Sequence, residues 1–297
     1  MLSRFFSNPD IPTPASAQLP ELELSGPVLA DAFKAMIVGC EPMGGVERYI
    51  HALKLKHTLF AEALAADEIH LMTEETFAGL CAFMATVRRR VSAHLQGENF
   101  VAMKAALAEL LIDMKNTASV DERISLFCQK FPQDSKHRWV RDLAAEVLHN
   151  VEPERYPLMM RWVWDRSANT GVIREIWHGD DVDGSTIQLD DGHATFVALR
   201  ADLGGWFSEN GVFADTIYYV DLLCAQIYAN YICAQGGTYL RADFSSPQDP
   251  MQYSRRLLGL DGIKQGSSKT RLKAEDGSSF TFDANLLEEP EETHGHS

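Results

Sequence analysis

From residue 25 to about residue 165, apolar side chains recur at spacings of three and four, and no convincing period-two run interrupts them. That periodicity confines the first half of the chain to helices packed on one another. The clearest face carries Phe77, Leu80, Cys81, Met84, Val87, Val91 and Leu95, with Thr73 as the N-cap and Gly97 as the stop. Further helices are predicted at Pro27–Val38, Val46–Ala66, Phe100–Lys115 and from the capping box Ser119–Glu122 onward. Asp134 caps another at Ser135–His149, and Pro157 opens a seventh that ends near Asp165.

The pattern changes after Asn169-Thr170-Gly171. Val172–Trp177 and Ser185–Leu189 predict two short strands joined by the polar segment Gly179–Gly184. Helical patterning returns at Ala194–Ser208, Ala214–Ala234 and Pro250–Leu258. Thr270–Ala274 and Ser279–Asp283 then flank a predicted hairpin turn, Glu275–Ser278. The expected fold class is mainly α with a smaller α+β C-terminal part: a helical N-terminal bundle, then short strands or hairpins and further helices. The expected organisation is a mobile Pro-rich arm at 1–24, a helical domain at 25–168, an α+β part at 169–286, and a solvated acidic tail at 287–297. Whether the two larger parts share one core is open, because no linker-like segment separates them.

Charge and cysteine usage narrow the function classes. The 297 residues carry 27 Lys and Arg against 42 Asp and Glu, a formal net charge of −15. Such a surface repels phosphate backbones, so nucleic acid is not an expected partner. Five cysteines with no C-x-x-C pair make neither a disulfide framework nor a zinc ribbon, and they fit a reducing cytoplasm. No apolar run approaches the roughly 18–20 residues of a membrane span, so no membrane is expected.

Three clusters are candidates for function. The first is residues 136–178, where Trp139, Trp162, Trp164 and Trp177 mix with Lys136, Arg138, Arg141, Arg155, Arg161, Arg166 and Arg174. Trp and Arg are enriched at interface hot spots, but large aromatics also make core seams. The second is His178 with Asp181 and Asp183 in a predicted turn, candidate ligands for a divalent metal. An EF-hand is excluded, because the twelfth position counted from Asp181 is Gly192 and not a bidentate Glu. The third is Asp221, which falls within the apolar arc of an aromatic helix between Tyr228 and Ile232. A carboxylate there must pair, neutralise or bind a ligand, and Arg161 or Arg174 is the expected partner.

Other motifs fail on spacing. Gly266 and Lys269 are separated by two serines, which breaks the Walker pattern, and no G-x-G-x-x-G, G-x-S-x-G or H-E-x-x-H is present. Arg88-Arg89-Arg90 wraps around its predicted helix and reads as a solvated collar.

Two functions from different classes follow. The first is a cytoplasmic accessory or regulatory protein that docks to a protein partner through residues 136–178, with Trp162 and Trp164 as anchors. The alternative is an enzyme or small-ligand binder with a site between the helical and α+β parts. It would hold an acidic or phosphorylated ligand through Arg161, Arg174 and Arg241, with Asp221 and His178 as catalytic candidates. A homodimer through the amphipathic helices is a further expectation; no cofactor is identified by the sequence.

Overall fold

One helix organises the molecule. Residues Thr216–Ala234 (α9) are apolar nearly all round, and several other helices pack against α9. The computed structural model describes residues 19–179, 185–235, 250–260, 269–273 and 279–283. The elements before α9 are α1 (Gly26–Cys40), α2 (Val46–Ala63), α3 (Glu74–Ala82), α4 (Gly97–Leu110), α5 (Val120–Gln129), α6 (Trp139–Val151), α7 (Val172–Glu175) and α8 (His193–Glu209). After it comes α10 (Pro250–Leu257), then a hairpin of β1 (Lys269–Lys273) and β2 (Ser279–Asp283). Helices α1, α2, α7, α8 and α10 surround α9, and α6 packs between α2 and α5. A single buried cluster runs from Leu29 to Leu260, so the N-terminal helices and the C-terminal helices share it.

The expected α+β C-terminal part is overturned: the described residues are mainly helical on both sides of residue 169. Val172–Trp177, expected as a strand, contains the single-turn helix α7. The reason is local. Gly171 adopts φ +121°, and a Cβ there would lie 2.7 Å from the Val163 carbonyl oxygen. This close approach lets the Val172 and Ile173 amides donate to the Trp162 and Val163 carbonyls at 3.1 and 3.2 Å. Amides that a helix start leaves unpaired are thereby satisfied, and the β-branched run is turned into a helix. The second expected strand, Ser185–Leu189, has no regular secondary structure. The regular β structure among the described residues is the hairpin, antiparallel with Lys269 opposite Asp283 and Leu272 opposite Phe280; it lies beside α3.

The long helix expected over Thr73–Leu95 also breaks. The Thr73 hydroxyl caps α3 by accepting from the Thr76 amide at 3.1 Å, but the helix stops at Ala82. Beyond it the chain continues as single turns, with amides bonding three or four residues back, as from Arg88 to Met84 and from Val91 to Val87. Met84, Val87, Val91 and Leu95 stay fully buried, because such turns preserve the spacing that made the sequence look like one helix. The helix expected from Pro157 to Asp165 is replaced by irregular chain and turns.

The N-terminal arm is tied down at its end: the His178 amide donates to the Glu23 carbonyl (2.7 Å) and the Ser25 amide to the Ile176 carbonyl (2.8 Å). Residues 1–18 and the expected acidic tail lie outside the described residues. Among the described residues, no helix is long and apolar enough to cross a membrane.

Candidate functional site: an arginine-lined cleft

The first turn of α6 begins at a capped corner. The Asp134 carboxylate accepts from the Lys136 and His137 amides at 2.8 and 3.1 Å and contacts His137 Nδ1 at 2.7 Å. The His137 contact, together with these amides, holds the Asp134 carboxyl below its usual range. The corner presents Lys136, Arg138 and Arg141 toward the turn segment 85–90 on one side and toward residues 159–167 on the other.

Two hollows meet there. The first, about 370 Å³, is lined by Arg89, Arg90, Lys136, Arg138 and Arg161, with Asp142 as its one carboxylate among the described residues. Thr86 also lines it, and the Thr86 hydroxyl is buried without a hydrogen-bond partner among the described residues. The second hollow, about 510 Å³, shares Ser135, Arg138 and Arg161 with the first. It adds Gln133, His137, Arg141, Ser167 and the carboxylates Asp134, Asp165 and Asp191. In a chain of net charge −15, five cations around one small hollow concentrate positive potential where an anion would sit.

The guanidinium groups are held in place. Arg161 forms a fork on Asp142, with Nε at 3.0 Å and Nη2 at 2.7 Å from the two carboxylate oxygens, and Asp142 is 2% exposed. Arg138 donates to Asp165 Oδ2 at 3.1 Å. Arg141 donates to the carbonyls of Met159 (3.1 Å) and Asp191 (2.8 Å). Burial acts to raise the Asp165 carboxyl, but the Ser167 hydroxyl, the Ala168 amide and the two arginines outweigh it and keep it low. Cys128 borders the second hollow; burial, with Asp142 adding to it, pushes its thiol up against the opposing pull of Arg141.

The predicted site residues are scattered by comparison. Of the candidate ligand-binding residues, Arg161 lines the cleft. Arg174 instead donates to the Ser185 carbonyl at 3.1 Å, and Arg241 lies outside the described residues. Trp162 is 6% exposed, tilted against Tyr228 with ring centroids 5.8 Å apart, and Trp164 is 0% exposed. Packed in this way, neither presents a face on which a partner could dock. Asp221 is buried in α9, and its near partner is His149, with Nε2 3.1 Å from Oδ2, in place of the expected Arg161 or Arg174. The cavity beside Asp221 measures only about 10 Å³, too small for more than one water. His178 is exposed and so does not join Asp221; Asp181 and Asp183 lie outside the described residues. Among the described residues, no group of three or more His, Cys, Asp or Glu side chains is placed to hold a metal ion.

Arg89 and Arg90 were legible only as a solvated collar, because a continuous helix would have spread them around its axis. The helix break after Ala82 turns them toward Arg138 and Arg161. No protein-family model, curated protein or solved structure matches this chain.

Proposed function

We propose that this protein binds an anionic ligand in the cleft between the 85–90 turns, the start of α6 and residues 159–167. The observation that carries the proposal is the hollow with five cationic side chains and one carboxylate in an otherwise strongly acidic chain. Arginine suits that task because its fork meets carboxylate or phosphate oxygens in pairs and stays charged. Two of the forks are already fixed by Asp142 and Asp165, so little rotamer freedom is lost on binding. No disulfide joins the cysteines among the described residues, in keeping with a cytoplasmic setting.

An accessory role toward a protein partner remains a second reading, favoured by the position of the cleft within the Arg-rich segment 136–178. In that case the arginines, not the buried tryptophans, receive an acidic stretch of the partner.

Titration calorimetry of the full chain with inorganic phosphate and with citrate tests the anion-binding proposal. Binding of at least one, weakened tenfold or more by Arg90→Gln combined with Arg138→Gln, is the expected result. No heat and no thermal stabilisation from either anion at millimolar concentration overturns it.

A further inference from the structure

Resting on that anion-binding reading, we infer that the ligand class is a phosphate monoester with a neutral, hydroxyl-rich body, that is, a sugar or polyol phosphate. The two hollows differ in charge, and the difference assigns the two ends of the ligand. The smaller hollow is strongly cationic. A phosphate group offers three terminal oxygens to such a convergent set; a planar carboxylate offers two. Arg161 keeps Nη1 for the ligand after its fork on Asp142, and Arg138 keeps the rest of its guanidinium after donating Nη2 to Asp165.

The larger hollow borders this one and shares Ser135, Arg138 and Arg161 with it. Its own carboxylates, Asp134, Asp165 and Asp191, balance its arginines, so a second anionic group there meets repulsion. These carboxylates accept hydrogen bonds, which suits hydroxyl donors. Gln133 spends its amide NH2 on the carbonyls of Cys128 (2.6 Å) and Phe131 (2.8 Å), which leaves its carbonyl oxygen as another acceptor. Among the described residues no Phe, Tyr or Trp lines this hollow; its one aromatic ring is the His137 imidazole, engaged with Asp134 at 2.7 Å, and Trp139 belongs to the cationic side and is 4% exposed. Roughly 300–1,000 Å³ is the usual volume for small-molecule sites, and the 510 Å³ here accommodates a body of three to six carbons.

The test is calorimetry on the full chain with a panel: glycerol 3-phosphate, ribose 5-phosphate, glucose 6-phosphate, inorganic phosphate, glucose and citrate. At least one of the organic phosphates is expected to bind tenfold or more tightly than inorganic phosphate, and glucose alone is not expected to bind. Asp191→Ala should weaken the preferred organic phosphate severalfold while tightening inorganic phosphate, because it removes a hydroxyl acceptor and a negative charge together. Inorganic phosphate binding as tightly as every organic phosphate, or citrate binding more tightly than all of them, overturns the ligand class and leaves the anion-binding proposal standing. Absence of binding by every anion in the panel overturns both.

Discussion

His149 Nε2 lies 3.1 Å from Asp221 Oδ2 where α6 meets α9, with side chains 7% and 5% exposed. The other ring nitrogen, Nδ1, stands 2.8 Å from the Tyr156 carbonyl oxygen. A carbonyl only accepts, so Nδ1 carries a hydrogen, and Nε2 is the ring nitrogen that faces the carboxylate. Nearby, Arg200 clamps the chain by donating to the Pro153 carbonyl and, at 2.9 Å, to the Glu154 carbonyl. Asp221 therefore joins helices. Its requirement for a partner was legible in the sequence, but the identity of the partner was not.

Asp221→Ala should destabilise the fold by about 3–5 kcal/mol, the usual cost of stripping one member from a buried pair. The affinity for inorganic phosphate should stay within twofold of the wild type. Urea unfolding and calorimetry check the two halves; a large loss of anion affinity with stability unchanged would give Asp221 back a role in ligand binding.

A second buried pair joins α2, α6 and the end of α10. Lys56 Nζ is 3.2 Å from Glu146 Oε2 and donates to the Leu258 carbonyl at 2.9 Å. Lys56→Met alone should cost about 3–5 kcal/mol, whereas Lys56→Met with Glu146→Leu should recover much of that loss. A double-mutant cycle in urea measures the difference.

Among the described residues Asp142 is the only carboxylate lining the smaller hollow, and it anchors Arg161. Asp142→Asn keeps its shape and loses its charge, so it should lower stability by about 1–3 kcal/mol. The same change should tighten inorganic phosphate, since it removes the one negative charge from that wall. Opposite signs in the two measurements distinguish this arrangement from a merely structural ion pair.

Alkaline pH should unfold the protein early. Burial, only partly opposed by Arg255, pushes the Cys40 thiol up to about 12 from an ordinary 9.0. Burial, with Asp221 adding to it, pushes the Tyr218 hydroxyl from 10.0 to about 12. The unfolded chain releases these protons at the ordinary values while the folded chain holds them. Stability is therefore unaffected by these groups below about pH 9 and falls as pH rises from there toward 12. Melting temperatures recorded between pH 7 and 11 should decline above 9, and Cys40→Ala should soften the decline.

Gly259 has φ +71°, and a Cβ there would stand 1.8 Å from the Phe83 carbonyl oxygen. Gly259→Ala should cost more than about 1 kcal/mol through both the backbone conformation and the clash. Differential scanning calorimetry measures it. The contact also ties the end of α10 to the residue that follows α3.

Much of the helical framework was readable because a 3.6-residue period is a local property. Phe77 to Leu95 shows where that legibility stops: the spacing correctly named the buried side chains but could not separate one helix from a helix followed by single turns, since both bury every third or fourth residue. Val172–Trp177 failed for a related reason. Its β-branched residues favour a strand, yet the carbonyls of Trp162 and Val163, presented by a close approach at Gly171, satisfy the opening amides of a helix.

The cleft divides along the same line. The helical periodicity, the Asp134 cap, the abundance of arginine between 136 and 178, and the need of Asp221 for a partner are all legible from residue type and from neighbours a few positions away. That Trp162 and Trp164 are core, that His149 meets Asp221, and that Arg89 and Arg90 line one hollow with Arg138 and Arg161 emerges from the folded chain. Each of those outcomes depends on where the chain breaks its helices and which distant backbone it then meets. Side-chain chemistry sets what can pair; packing over long sequence separations sets what does.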